Sequence, residues 1–159
     1  MPTMELDAID ARILTELQSD GGLTNAELAE RVGLSPSPCL RRVKLLTDAG
    51  VIKKRVALVD GNAIDLKVSV FIHVTLEKQI EENLSEFEAA IEARPEVVEC
   101  YLMTGESDYL LRVVVPDLEA YERFLMEHLT RIPGVSNIKS SFALNQVKYS
   151  TALPLDHLS

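Results

Sequence analysis

The chain has 159 residues, 47% of them apolar but only 5% aromatic, and carries 16 Lys and Arg against 25 Asp and Glu for a formal charge of −9. That length allows one ordinary domain or two small ones, and apolar segments recurring throughout exclude an intrinsically disordered chain. No uncharged apolar run approaches the roughly 18 residues of a membrane span, and the opening MPTMELDAIDARIL lacks the basic and apolar blocks of a secretory signal, so the chain reads as cytoplasmic with no membrane partner.

The acidic total conceals a segregation. Residues 1–30 sum to −6, residues 31–55 to +6, residues 56–60 to −1 and the remainder to −8. An acidic average argues against a nucleic-acid partner, whereas a basic island argues for one, because phosphate attraction depends on where the cations stand.

The first segment places Leu6, Ile9, Ile13, Leu14 and Leu17 at helical spacing, with Asp7 set to cap and Asp10 three residues later. The sequence Asp20-Gly21-Gly22 ends that helix. Thr24-x-x-Glu27 has the spacing of a capping box for a second helix, with Leu28, Ala29 and Val32 as its apolar stripe and Gly33 as its stop. Ser35 is placed to cap a third, Pro36 suits its first position, and Cys39, Leu40, Val43 and Leu46 are expected to form its buried face before Gly50.

The short turn VGLS between the second and third helices suits a helix-turn-helix. Ser37, Arg41, Arg42 and Lys44 then lie away from the core, where arginine can pair with guanine edges and the helix start attracts phosphate. Arg41 and Arg42 are the favoured DNA contacts, whereas Arg31 reads as a surface or ion-pair residue. The run VIKKRVALVD reads as an extended wing whose Lys53 and Lys54 reach the flanking backbone.

Beyond Lys67 the pattern changes. Val68, Val70, Ile72, Val74 and Leu76 alternate with Ser69, Phe71, His73 and Thr75, as on a strand. A helix is predicted over 80–93, strands over 97–104 and 109–115, a helix over 118–131 carrying Leu118, Tyr121, Phe124 (or Leu125) and Leu129, and a strand over 135–144. Arg94-Pro95-Glu96-Val97 and Ile132-Pro133-Gly134-Val135 each follow a helix and open a strand, which suggests an internal duplication. The order β-α-β-β-α-β suits a ferredoxin-like sheet with both helices on one side. Phe71, Tyr101, Met103, Tyr109, Leu111 and Val113 are expected to lend apolar bulk to the other face and its edges, implying at least a dimer.

The turn Thr104-Gly105-Glu106-Ser107-Asp108 is open to two readings: a solvated turn, or a ligand loop in which Gly105 admits close approach and Asp108 meets an ammonium group. Pro133-Gly134 is placed to contribute similarly. His73, His128 and His157 form no pair, and Cys39 and Cys100 suggest neither a disulfide scaffold nor a metal site. No phosphate loop or nucleophile elbow is present, so an enzyme, a metal and a cofactor are not expected.

Residues 6–60, through LDAIDARILTELQSDG and ELAERVGLSPSPCLRRVKLLTDAGVI, resemble the DNA-binding half of the Lrp/AsnC (feast/famine) family. Residues 67–150, through ECYLMTGESDYLLRVVVPDLEAYERFL, IPGV and SSFALNQVK, resemble its ligand-sensing half, nearer the leucine-responsive branch than the asparagine-specific one. The resemblance implies an α+β protein: a winged helix-turn-helix over 1–52, a strand linker over 53–66 and a ferredoxin-like effector-binding and oligomerisation domain over 67–159. It implies a transcriptional regulator of amino acid metabolism that binds double-stranded DNA as dimers assembling to octamers, and responds to a free amino acid. It makes Ser35, Ser37, Arg41, Arg42 and Lys44 the DNA contacts of a recognition helix over 36–48. It sets the effector region at Gly105, Asp108, Leu118, Ile132, Gly134, Ser141, Phe142 and Ala143, whose aliphatic members favour leucine or methionine. The chain departs from the family after VIKK, where a glycine or glutamine and then a tyrosine are usual and Lys54, Arg55 and Val56 stand instead. The competing readings are an architectural DNA-binding protein whose second half only oligomerises, and a sensor or enzyme that does not bind DNA.

Overall fold

A computed structural model of the chain describes residues 4–158, so residues 1–3 and 159, the outer ends of the two expected domains, lie outside the described residues. Two compact units result. The first comprises the chain up to Leu58 and the segment from Lys148 onward, and the second runs from Val59 to Val147.

The first unit contains three helices, α1 (Ala8–Ser19), α2 (Asn25–Val32) and α3 (Pro36–Asp48). The predicted Thr24–Glu27 capping box forms, and Asp7, predicted to cap, forms a second one with Asp10, so local side chains satisfy backbone N–H groups that each helix start leaves free. Gly33 ends α2 at φ 75°. After α3, Val51 N–H donates to Leu46 and Gly50 N–H to Thr47, the paired bonds of a Schellman stop, with Gly50 at φ 78°. Ser35 occupies the cap position of α3 without a side-chain cap bond, and Pro38, two residues into the helix, has no N–H to offer it.

Ile13, Leu14, Leu28, Ala29, Val32, Cys39, Val43 and Leu46 form one buried core. Leu40, expected inside, is 58% exposed. Its neighbour Cys39 already occupies the inward direction, and 3.6 residues per turn carry the next side chain away from it.

The expected linker contains no strand. Residues 53–60 join no ladder among the described residues, and a 3-10 turn covers Gly61–Ile64. A strand needs a neighbour for its backbone groups, which composition alone does not supply. The boundary at 67–159 also changes at its far end. Gln18 and the Leu153 backbone exchange two hydrogen bonds (3.1 and 2.6 Å), and Leu155 packs against the helical core, so the last residues belong to the first unit.

The second unit has the predicted order: β1 (Val68–Leu76), α4 (Glu81–Glu92), β2 (Val97–Leu102), β3 (Tyr109–Val115), α5 (Leu118–Phe124) and β4 (Val135–Phe142). The sheet is antiparallel in the order β2-β3-β1-β4, the ferredoxin-like arrangement. The second helix does not run regularly to 131 but passes into a π-helical turn at Leu125–Leu129.

Register assigns the faces. Ile72 stands opposite Leu111, Val70 opposite Val113 and Val74 opposite Tyr109, so all six share one side and are buried with Phe87, Ile91, Phe124 and Leu129. Tyr109, Leu111 and Val113 are therefore core residues, not outward ones as expected. The Phe87 and Tyr109 rings stack at 4.4 Å, and the Tyr109 hydroxyl donates to Glu88 at 2.8 Å; burial, then that bond, push its pKa up. The opposite face carries Phe71 (38% exposed) and Tyr101 (52%) beside a Glu99–Arg112 ion pair of 2.7 Å. Leu118, at the start of α5, is exposed: Asp117 caps there and the stripe toward the sheet begins at Tyr121.

Candidate nucleic-acid interface and effector region

Helix α3 has one exposed face. Ser37, Leu40, Arg41 and Lys44 recur at i, i+3, i+4 and i+7, and all four are exposed. On a helix that spacing gathers them within an arc of about 100°. Leu40, which sequence reasoning placed inside, thus belongs to the candidate interface. Lys44 also reaches Asp48 one turn on, at 3.3 Å between exposed side chains, a pair weak enough for a phosphate to displace. Asn25 Nδ2 donates to the Pro36 carbonyl at 2.8 Å, tying the start of α2 to the start of α3 and fixing the turn between them. Ser35, Lys53 and Lys54 are exposed at the two ends of this helix-and-wing segment.

Arg42 does not share that face. Its guanidinium donates to both carboxylate oxygens of Asp7 (2.9 and 2.7 Å) and to Asp10 (3.1 Å). The hydrogen bond from Arg42 is the largest influence holding the Asp7 carboxyl below its ordinary range, followed by the backbone N–H of Asp10. Arg31 pairs with Glu16 at 3.2 Å, as its reading as an ion-pair residue anticipated.

The predicted effector residues fall at two ends of β1. Near its end, the buried Asp108 carboxylate accepts from Leu76 N–H (2.7 Å) and from the Gln79 side-chain amide, and Asp108 N–H donates to Val74 (2.9 Å). The Gly134 carbonyl accepts from Glu77 N–H at 2.7 Å, and Gly134 and Gly105 adopt φ 88° and 109°, values that favour glycine. Ser107 bonds His73 at 3.0 Å. Ile132 precedes this turn and is buried in the core. Near the start of β1, Ser141 stands opposite Phe71 and Phe142 opposite Val70, while Ala143 N–H donates to Ser69 at 3.0 Å. Phe142 meets the Tyr121 ring edge-on at 5.1 Å, and Leu118 begins the helix that carries Tyr121.

At 3.3 Å per residue, these groups stand roughly 20 Å apart along the strand. One chain therefore does not gather them into one pocket. Asp108, moreover, is committed to the protein's own backbone and Gln79 rather than turned outward to an ammonium group.

A family model described as Lrp/AsnC ligand binding domain matches residues 69–153, and one described as winged helix-turn-helix DNA-binding matches residues 6–53. The chain belongs to the Lrp/AsnC family. The Bkd operon transcriptional regulator of Pseudomonas aeruginosa is 48% identical over 151 residues, 95% of this chain and 99% of that protein. The leucine-responsive regulatory protein of Salmonella typhimurium is 42% identical over 152 residues, 96% of this chain and 93% of that one. Among solved structures, a transcriptional regulator from Neisseria meningitidis in complex with L-Met superposes with a TM-score of 0.93 at 43% identity, covering 97% of this chain and 99% of that one.

This Lrp/AsnC protein is thus a DNA-binding transcriptional regulator, with a winged helix-turn-helix and a four-stranded antiparallel sheet flanked by helices. Among the described residues no helix is long and apolar enough to cross a membrane.

Proposed function

We propose that the protein regulates genes of amino acid metabolism by presenting Ser37, Leu40, Arg41 and Lys44 to the major groove, with Ser35, Lys53 and Lys54 on the flanking phosphates. A two-fold dimer presents two such helices to successive turns of a roughly palindromic site. Its effector is a free aliphatic amino acid, leucine or methionine, held by the second unit. The observation that carries this reading is the pair of full-length relatives, one named leucine-responsive and one solved with L-Met.

The separation of the effector residues along β1 supports a pocket completed by another copy, Gly105 and Gly134 from one chain, with Asp108 holding the turn beside them, meeting Leu118 and Ser141–Ala143 of another. Binding then acts by favouring one assembly over another, dimer against octamer, to the extent that the amino acid's affinity differs between them. The test is binding to a duplex that the protein itself selects from a random pool, with and without each of the twenty amino acids, alongside sedimentation. Leucine or methionine is expected to change DNA affinity or assembly size. Silence toward all twenty supports the architectural reading instead.

A further inference from the structure

We propose that Arg42 is a positioning residue that locks α3 to the start of α1 and makes no contact with DNA. The inference rests on the DNA-binding reading above and concerns how the recognition helix is held. At 3.6 residues per turn, Arg42 projects roughly 150° away from the middle of the Ser37–Leu40–Arg41–Lys44 face. Its three hydrogen bonds, at 2.9, 2.7 and 3.1 Å, all run to α1 carboxylates.

Those carboxylates are themselves held. Asp10 N–H donates to Asp7 at 2.8 Å and Asp7 N–H to Asp10 at 3.2 Å, so the capping box of α1 and the grip on α3 use the same two side chains. The Asp10 side chain is only 7% exposed, and the Arg42 side chain 29%. The Asp10 carboxylate has little access to water, and an Arg42 turned toward a phosphate would leave it with the Asp7 N–H and no cation beside it. One guanidinium thereby fixes the direction of α3 relative to α1, and with it the aim of the reading face.

Two measurements on the full chain test this: hydrogen exchange of the α1 and α3 amides, and the salt dependence of affinity for a mixed-sequence DNA duplex. Arg42→Ala and Asp10→Asn are both expected to speed exchange in the first turn of α1 and along α3. Arg42→Ala is expected to weaken DNA binding at every salt concentration with the slope of log affinity against log salt unchanged. Arg41→Ala is expected to leave exchange alone and reduce that slope by about 0.9 for each phosphate that the side chain neutralises. Arg42→Lys keeps the charge but replaces the guanidinium nitrogen that makes all three bonds with the end of a different side chain, and is expected to fall between wild type and Arg42→Ala in exchange; with Asp10→Asn it carries the test if Arg42→Ala does not fold. A reduced slope in an Arg42 variant, or exchange unaltered by both Arg42 and Asp10 substitutions, overturns the proposal. Binding without salt dependence in the wild type would instead overturn the DNA interface, while exchange still decides the role of Arg42.

Discussion

Asp7 lies between two donors, the Arg42 guanidinium and the backbone N–H of Asp10, and both stabilise its ionised form. Its pKa in the folded chain is therefore below the ordinary value of 3.8 that it regains on unfolding. A depressed folded value contributes stability that is fully present above the unfolded pKa and is lost as pH falls through the folded one. The stability difference between wild type and Arg42→Gln, read from urea titrations by circular dichroism, is accordingly expected to be larger at about pH 6 than at about pH 3. Equal differences at the two pH values would separate the acid response from this pair. Cys39, by contrast, is fully buried in the helical core, where loss of solvation raises its thiol pKa and leaves a small packing group. Asp7, Asp10 and Arg42 were each legible as charged residues of a cap or an exposed helix; that they meet across 32 to 35 positions was not, because nothing local in sequence specifies which cation answers which carboxylate.

At the level of elements, the turn between α2 and α3 determines how the reading helix leaves its support. Gly33 makes it possible at φ 75°, and a methyl group added there would meet no atom within 4 Å. The cost of Gly33→Ala is thus one of backbone conformation alone, about 1–2 kcal/mol of unfolding free energy, measurable by denaturant titration. A neutral result would show that the turn relaxes without loss. Helix ends were readable in the sequence because capping is local: Asp7–Asp10, Thr24–Glu27, Gly33 and Gly50 each act within a few residues of one another. The buried side of α3 was less so. Leu40 is as apolar as Val43, and only the packing of α1 and α2 decides that Cys39, Val43 and Leu46 turn inward while Leu40 joins the exposed face. The sheet repeats the lesson: β3 alternates in sequence, but its pairing with β1 decides which alternate set meets the helices.

Across the whole molecule, both helices of the second unit cover one side of the sheet and leave Phe71 and Tyr101 on the other, around the Glu99–Arg112 pair. Two exposed aromatic rings on one face of the sheet are costly to leave in water, and the expected dimer would cover them. Phe71→Asp combined with Tyr101→Asp is expected to shift the protein at micromolar concentration from dimers or larger assemblies to monomer in sedimentation, with its circular dichroism retained. Unchanged sedimentation would place the interface elsewhere. The sequence by itself determined the order of elements, the helix caps, the basic island on a helix-turn-helix and the family, since each depends on residue type and short-range spacing. Tertiary structure alone decided that Arg42 faces Asp7 and Asp10, that Leu40 lies outside and Tyr109, Leu111 and Val113 inside, that the C-terminal segment returns to the helical unit, and that the effector residues divide between the two ends of β1. These depend on which surfaces meet, and contacts between residues distant in sequence are set by the packing of whole elements rather than by any one segment's pattern.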